Sequence, residues 1–425
     1  MPNPLATAFK GKGLTIFARA RTITSRYGLT PSKIDRALSH LADTLDVSAC
    51  KATLPTTAVA LARNPDVARK CQTRGLELAM HGLVHVDHTL LTLDEQRAHF
   101  RRARQIFEGA GVRVTGFRCP YLRWNADTLT ALGECGFDYD SSQALAWDVV
   151  GSLETESYRR AVAFYRSQLA NDYPALPTLA NGLVRIPYCV PDDESLVERL
   201  RLPGPAMSQV WLTMLERTHA AGELFTVGLH PERTALCQEA LHATLARARS
   251  LSPTVWIARL DEIATWWRTL WQAAFEVELE SPEAFHLKIT APSRAAILVR
   301  SIEVTAPTQP WAHGYQRVLA REFTCRSNTR PWIGLSPDSP PALGDFIRQQ
   351  GFLVEVSASS DFSFYLQRAS FNAQDERPLL AELDQGSWPV VRLARWPDGA
   401  QSALCVTGDV DALTLWDYGL RAFGR

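Results

Sequence analysis

His81-Gly82-Leu83-Val84-His85 sets two imidazoles four residues apart. On one helical turn that spacing puts both rings on one side, where they can share a divalent metal. The pair follows an apolar, β-like run, Leu76–Met80, and precedes Thr92-Leu93-Asp94-Glu95, which has the form of a capping box. Catalytic residues of β/α folds sit at that kind of junction. His88 lies close behind and reads equally well as a surface residue. A second cluster, Arg118-Cys119-Pro120-Tyr121, ends the extended stretch Val112–Phe117. It joins a guanidinium able to orient a carboxylate to a proline-fixed turn whose backbone N–H could face an oxyanion. His230 closes the strand-like run Phe225–Leu229, and Asp409-Val410-Asp411 offers two carboxylates on one face of a strand.

Short apolar runs alternate with helical patterns from Gly13 onward, as in β/α architectures. Leu14–Ala18 reads as a strand, and Ile34, Ala37, Leu38, Leu41 and Leu45 keep helical spacing behind the Thr30-Pro31-Ser32 start signal. Further strands are expected at Ala52–Pro55, Leu76–Met80, Val112–Phe117, Leu183–Ile186 and Phe225–Leu229. Helices are expected at Val67–Gly75, Asn125–Gly136, Ser208–Gly222, Thr234–Ala248 and Asp261–Trp271. The count suits a barrel better than an open sheet. From Phe275 the pattern turns to half-buried strands, followed by a helix at Ala342–Gln349 and a strand at Phe352–Val356, which marks a second unit.

The 425 residues exceed one ordinary core, and 46% apolar with 21% charged residues is globular composition. Lys plus Arg equals Asp plus Glu at 45 each, so net charge points to neither nucleic acid nor an acidic membrane. The basic stretch His99–Arg104 reads as the solvated face of a helix. Eight scattered cysteines without a C-x-x-C pair read as reduced thiols. The N-terminus has no basic head followed by an apolar run, and no segment is long enough to span a bilayer, which makes a cytoplasmic protein the expectation.

"HGLVH" followed by "GFRCPY" resembles two successive motifs of the polysaccharide deacetylases, the NodB-homology or carbohydrate esterase 4 family. "YGLTPSKIDRALSHL", "KATLP", "GLELAMHG" and "GLHPER" fit the same family in the same order. The resemblance covers somewhat over half the chain. It implies an α/β fold, a distorted (β/α) barrel of the deacetylase type with a smaller α+β accessory region. The family opens on a strand bearing two aspartates, whereas Leu14–Arg21 carries no acid. Trp396–Asp411 is similar to that opening segment, so the chain is expected to be circularly permuted, with its last strand completing the site.

This organisation implies a barrel over 1–274, an accessory region over 275–390 and a completing strand and helix over 391–425. The resemblance assigns Asp411, His81 and His85 to a divalent metal, expected to be Zn²⁺, and Asp409 to the general base. Arg118 would hold Asp409, the Tyr121 backbone N–H would face the oxyanion, and His230 would be the general acid. The implied reaction removes the N-acetyl group from an amino sugar in a glycan or glycan precursor, a carbohydrate substrate. Two other readings stand beside it: a metal-free hydrolase of other non-peptide C–N bonds, and an inactive carbohydrate-binding protein. Homo-oligomerisation is left open.

Overall fold

The computed structural model describes residues 23, 24 and 26–420; the strand expected at Leu14–Ala18 lies outside them. Helix Ser32–Val47 forms where the periodicity predicts, and Ile34, Leu38, Leu41 and Leu45 make its buried stripe. At Thr92 the capping box is complete, with the hydroxyl accepting from the Glu95 amide and the Glu95 carboxylate accepting from that of Thr92.

A nine-stranded sheet curls into a half-barrel. Its path runs Leu224–Leu229, Ser402–Gly408, Ala52–Thr56, Glu77–Met80, Gly116–Phe117, Tyr139–Asp140, Leu183–Arg185, Thr178–Ala180, with Val255–Ile257 pairing off the path onto Ser402–Gly408. All pairings are parallel except the last on the path, Thr178–Ala180 with Leu183–Arg185. The C-terminal strand thus lies in the interior of the sheet. All seven of its residues are buried, as expected for a parallel strand covered on both faces. Its register sets Leu229 opposite Gly408, and the Asp409 amide donates to the Leu229 carbonyl. On the other side the Val410 amide donates to the Pro55 carbonyl. The polar ends of three strands therefore converge where Asp409 and Asp411 begin.

Two sequence expectations are corrected. Only Gly116–Phe117 pairs as a strand within Val112–Phe117, because the neighbouring strand Tyr139–Asp140 is itself only two residues long. His81–His85 is a bend rather than a helical turn, since Gly82 takes φ +81, outside the helical region.

Between residues 274 and 393 lie two four-stranded sheets and one three-stranded sheet. Helices Pro341–Gln349 and Ala373–Gln385 pack with them, and Val390–Leu393 pairs antiparallel with Ile297–Arg300. Trp396 is fully buried where the two parts meet, with ring centroids 5.5 Å from Trp267 and 6.2 Å from Trp256. All eight cysteines are free. No helix among the described residues is long and apolar enough to cross a membrane.

Gly228 must be glycine for a packing reason. A Cβ there would sit 1.9 Å from the Tyr188 hydroxyl, which in turn donates to Asp192. Gly228→Ala is expected to destabilise the fold by about 1–3 kcal/mol, read as a lowered midpoint in urea unfolding.

Candidate active site

Every sequence-predicted site residue lies just past the carboxyl end of a sheet strand, the usual location of ligand sites in parallel sheets. His81 follows Glu77–Met80, and its amide donates to the Thr56 carbonyl. His85 reaches the same pocket through the Gly82 bend. Asp411 enters from the C-terminal strand, with its carbonyl accepting from the Thr57 hydroxyl at 3.0 Å.

His81 Nε2 lies 3.5 Å and His85 Nε2 3.3 Å from the same oxygen of Asp411, Oδ1. Ligand atoms from the three residues all fall within 4.8 Å of one another. Donors about 2.0–2.1 Å from a tetrahedral ion stand about 3.3 Å apart, so this set fits a divalent metal of the zinc type. His81 Nδ1 is 2.9 Å from the Arg118 carbonyl, an outer hydrogen bond that fixes the tautomer and aims Nε2 at the carboxylate.

Asp409 sits beside this cluster, its Oδ2 4.0 Å from His81 Nε2. Arg118 Nη1 donates to Asp409 Oδ1 at 2.7 Å and to the Thr407 hydroxyl at 2.9 Å. Its other nitrogens donate to the Ser141 carbonyl and hydroxyl, and its guanidinium lies 4.6 Å from the Tyr188 ring centroid. The side chain is fully buried. A buried cation with every group satisfied pins its carboxylate, and removing it strands a buried anion. Arg118→Ala is accordingly expected to cost about 3–5 kcal/mol in urea unfolding, with Asp409→Asn recovering part of that loss in the double variant.

Tyr121 takes φ 59, ψ 12, and its ring meets His85 edge-on at 4.3 Å between centroids. His230 follows strand Leu224–Leu229, and its Nδ1 is 2.8 Å from Asp193 Oδ1. Burial alone would lower the His230 imidazolium, but the Asp193 carboxylate outweighs it and the pKa is raised to about 9.

Sequence reasoning missed Asp193. The only signal was an Asp-Asp pair after Val190-Pro191, with nothing local to link it to a histidine in another element. Glu232 and Arg26 were also missed. Arg26 Nε donates to Glu232 at 2.7 Å, and its Nη2 lies 3.9 Å from Asp411 Oδ2. His88 is not a surface residue. It is fully buried, stacks on Phe100 at 5.5 Å and is pushed down to about pKa 3 by burial, so it fills the core rather than joining the metal-type cluster.

Residues 30–139 match the polysaccharide deacetylase family. A peptidoglycan deacetylase-like protein of Gibberella zeae, FGM2, is 38% identical over 69 residues, 16% of this chain and 20% of that protein. The match thus spans about a fifth of that relative's length. A Mycobacterium smegmatis protein assigned as a polysaccharide deacetylase aligns in structure at 24% identity and TM-score 0.42, over 54% of this chain and 76% of that one. Puue allantoinase aligns at 21% identity and TM-score 0.44, over 55% of this chain and 72% of that one. The polysaccharide deacetylase match thus falls within the curled half-barrel sheet of a mixed α/β molecule.

Proposed function

We propose that this chain, with its deacetylase-type barrel, is a metal-dependent hydrolase that removes the N-acetyl group from an amino sugar in a glycan or glycan precursor. We propose further that it is circularly permuted relative to its family, the aspartate strand having moved from the start of the chain to its end. The observation that carries the reading is the convergence of Asp411 with His81 and His85, because it joins a C-terminal carboxylate to the histidine pair across the sheet. Asp409 beside Arg118, and His230 beside Asp193, support it by supplying a base and an acid.

A divalent metal, Zn²⁺ in this proposal, would be held by Asp411, His81 and His85 and would polarise the acetyl carbonyl and acidify water. Asp409 accepts the proton from the attacking water, whose oxygen bonds to the acetyl carbon. Arg118 keeps that carboxylate in place. The Tyr121 backbone N–H donates to the oxygen that gains charge as the carbon becomes tetrahedral. His230, protonated and oriented by Asp193, passes its proton to the amide nitrogen as the C–N bond breaks, which releases acetate and the free amine.

The test is metal content of purified protein by elemental analysis, together with acetate release from N-acetylglucosamine oligomers. Wild type should hold stoichiometric metal and release acetate, while His81→Ala and Asp411→Ala, each folded by circular dichroism, should lose both. Metal retained by Asp411→Ala would overturn the shared site. A wild type that never binds metal but cleaves another C–N bond would favour the metal-free hydrolase, and one that binds glycans without cleaving them an inactive binding protein.

A further inference from the structure

A cleft of about 380 Å³ opens where the accessory region meets the barrel, walled by Trp311, Tyr315, Asp384, Arg392, Arg395 and Gln401. It lies at the opposite end of the sheet from the candidate active site. Gln401 precedes the C-terminal strand and Asp409 follows it, which at about 3.3 Å per residue separates them by roughly 25 Å.

The charges on this wall do not balance. Arg392 Nη1 and Arg395 Nη2 share a single carboxylate, Asp384, at 3.2 and 3.3 Å. Their other hydrogen bonds go to neutral acceptors: the Gln350 carbonyl and the Leu393 carbonyl for Arg392, the Gln350 side chain and the Ala221 carbonyl for Arg395. The remaining ion pair on the wall, Arg377 with Glu223, is neutral within itself. Both Arg392 and Arg395 are more than nine-tenths buried, so the surplus positive charge is poorly screened by water. Burial pulls the Arg395 guanidinium below its ordinary value even with Asp384 beside it. Two further polar atoms, Gln401 Oε1 and Tyr315 Oη, are buried here without a hydrogen-bond partner among the described residues. Buried polar atoms are rarely left so, and together they offer an acceptor and a hydroxyl to a polyhydroxylated ligand. The half-exposed indole of Trp311, pinned by its N–H to the Gly399 carbonyl, adds a flat apolar surface.

We propose that this cleft is a second ligand site, distinct from the barrel site, for a sugar ring that carries one negative charge. The shared guanidiniums take the anion, Gln401 and Tyr315 take hydroxyls, and Trp311 packs on the ring. The proposal goes beyond the hydrolase reading and does not depend on it.

Isothermal titration of the full chain with glucuronate, a glucuronate-containing trisaccharide, glucose and acetate tests it. The acidic sugars should bind, with glucose and acetate each at least about tenfold weaker. Trp311→Ala should weaken binding about tenfold and Arg395→Gln more than tenfold, whereas His81→Ala should leave it unchanged, which keeps the result separate from the fate of the barrel site. Asp384→Asn, at a half-exposed position, should tighten binding because it removes the competing anion; it decides the matter even if Arg395→Gln fails to fold. Preference for the trisaccharide assigns the ligand to a glycan chain, and preference for glucuronate to a free sugar. Equal binding of acetate and glucuronate, glucose matching glucuronate, or weaker binding in Asp384→Asn would each overturn the proposal.

Discussion

A chain that stops at Arg395 is expected not to fold. The deleted segment supplies Ser402–Gly408, which pairs with Leu224–Leu229 along one edge and with Val255–Ile257 and Ala52–Thr56 along the other. Without it the sheet acquires two unpaired interior edges, whose backbone groups lose partners inside the protein. Trp396, Ala403, Leu404, Cys405 and Val406, all fully buried, disappear from the core. At about 1.5–3 kcal/mol for each large apolar side chain, the loss rivals the roughly 5–15 kcal/mol by which a domain is stable. Circular dichroism and size-exclusion chromatography of the truncated chain should show an aggregated or unfolded product, whereas Asp409→Asn should keep the native spectrum. A soluble truncated chain with native near-ultraviolet dichroism would mean that the sheet closes without its C-terminal strand.

The second large effect concerns the acid side of the site and rests on the proposed hydrolysis. His230→Ala should lower kcat by about 10²–10⁴-fold, the usual contribution of a positioned general acid. The reactive form is the imidazolium, so wild-type activity should persist through neutral pH and fall as pH rises through about 9. Asp193→Asn removes the carboxylate that raises this pKa, and the alkaline limb should move down toward the ordinary imidazole value. Stability follows the same sign. The folded pKa is raised, so the pair's contribution is fully present below about pH 6.5 and is lost as pH rises through about 9. Urea midpoints at pH 6 and pH 10 should therefore differ more in wild type than in Asp193→Asn. An alkaline limb that does not respond to Asp193→Asn would remove His230 from the acid role.

Local pattern was enough for the elements with strong signals. The helix at Ser32–Val47 follows from apolar spacing and the start near Thr92 from its capping box, whereas the C-terminal strand was expected from the resemblance of Trp396–Asp411 to a family's opening segment. Chemistry was legible wherever residue type and spacing coincide, as in the histidine pair, the Arg118–Tyr121 turn and the two aspartates of 409–411. Elements held by tertiary partners were not. The pairing that limits a strand to Gly116–Phe117 is set by a neighbour just as short, and the bend at Gly82, not a helical turn, brings His81 and His85 together.

The sequence by itself determined which side chains are present and the short-range rules that build each helix and strand. Only the tertiary structure decided that Asp411 meets His81 and His85, that Arg118 holds Asp409, and that Asp193 holds His230. Those contacts cross from one end of the chain to the other. They depend on a parallel register that sets Gly408 opposite Leu229 and Val406 opposite Ala52. Register of that kind is fixed by the packing of the whole sheet, because a parallel strand buried on both faces carries no alternating pattern that names its neighbour.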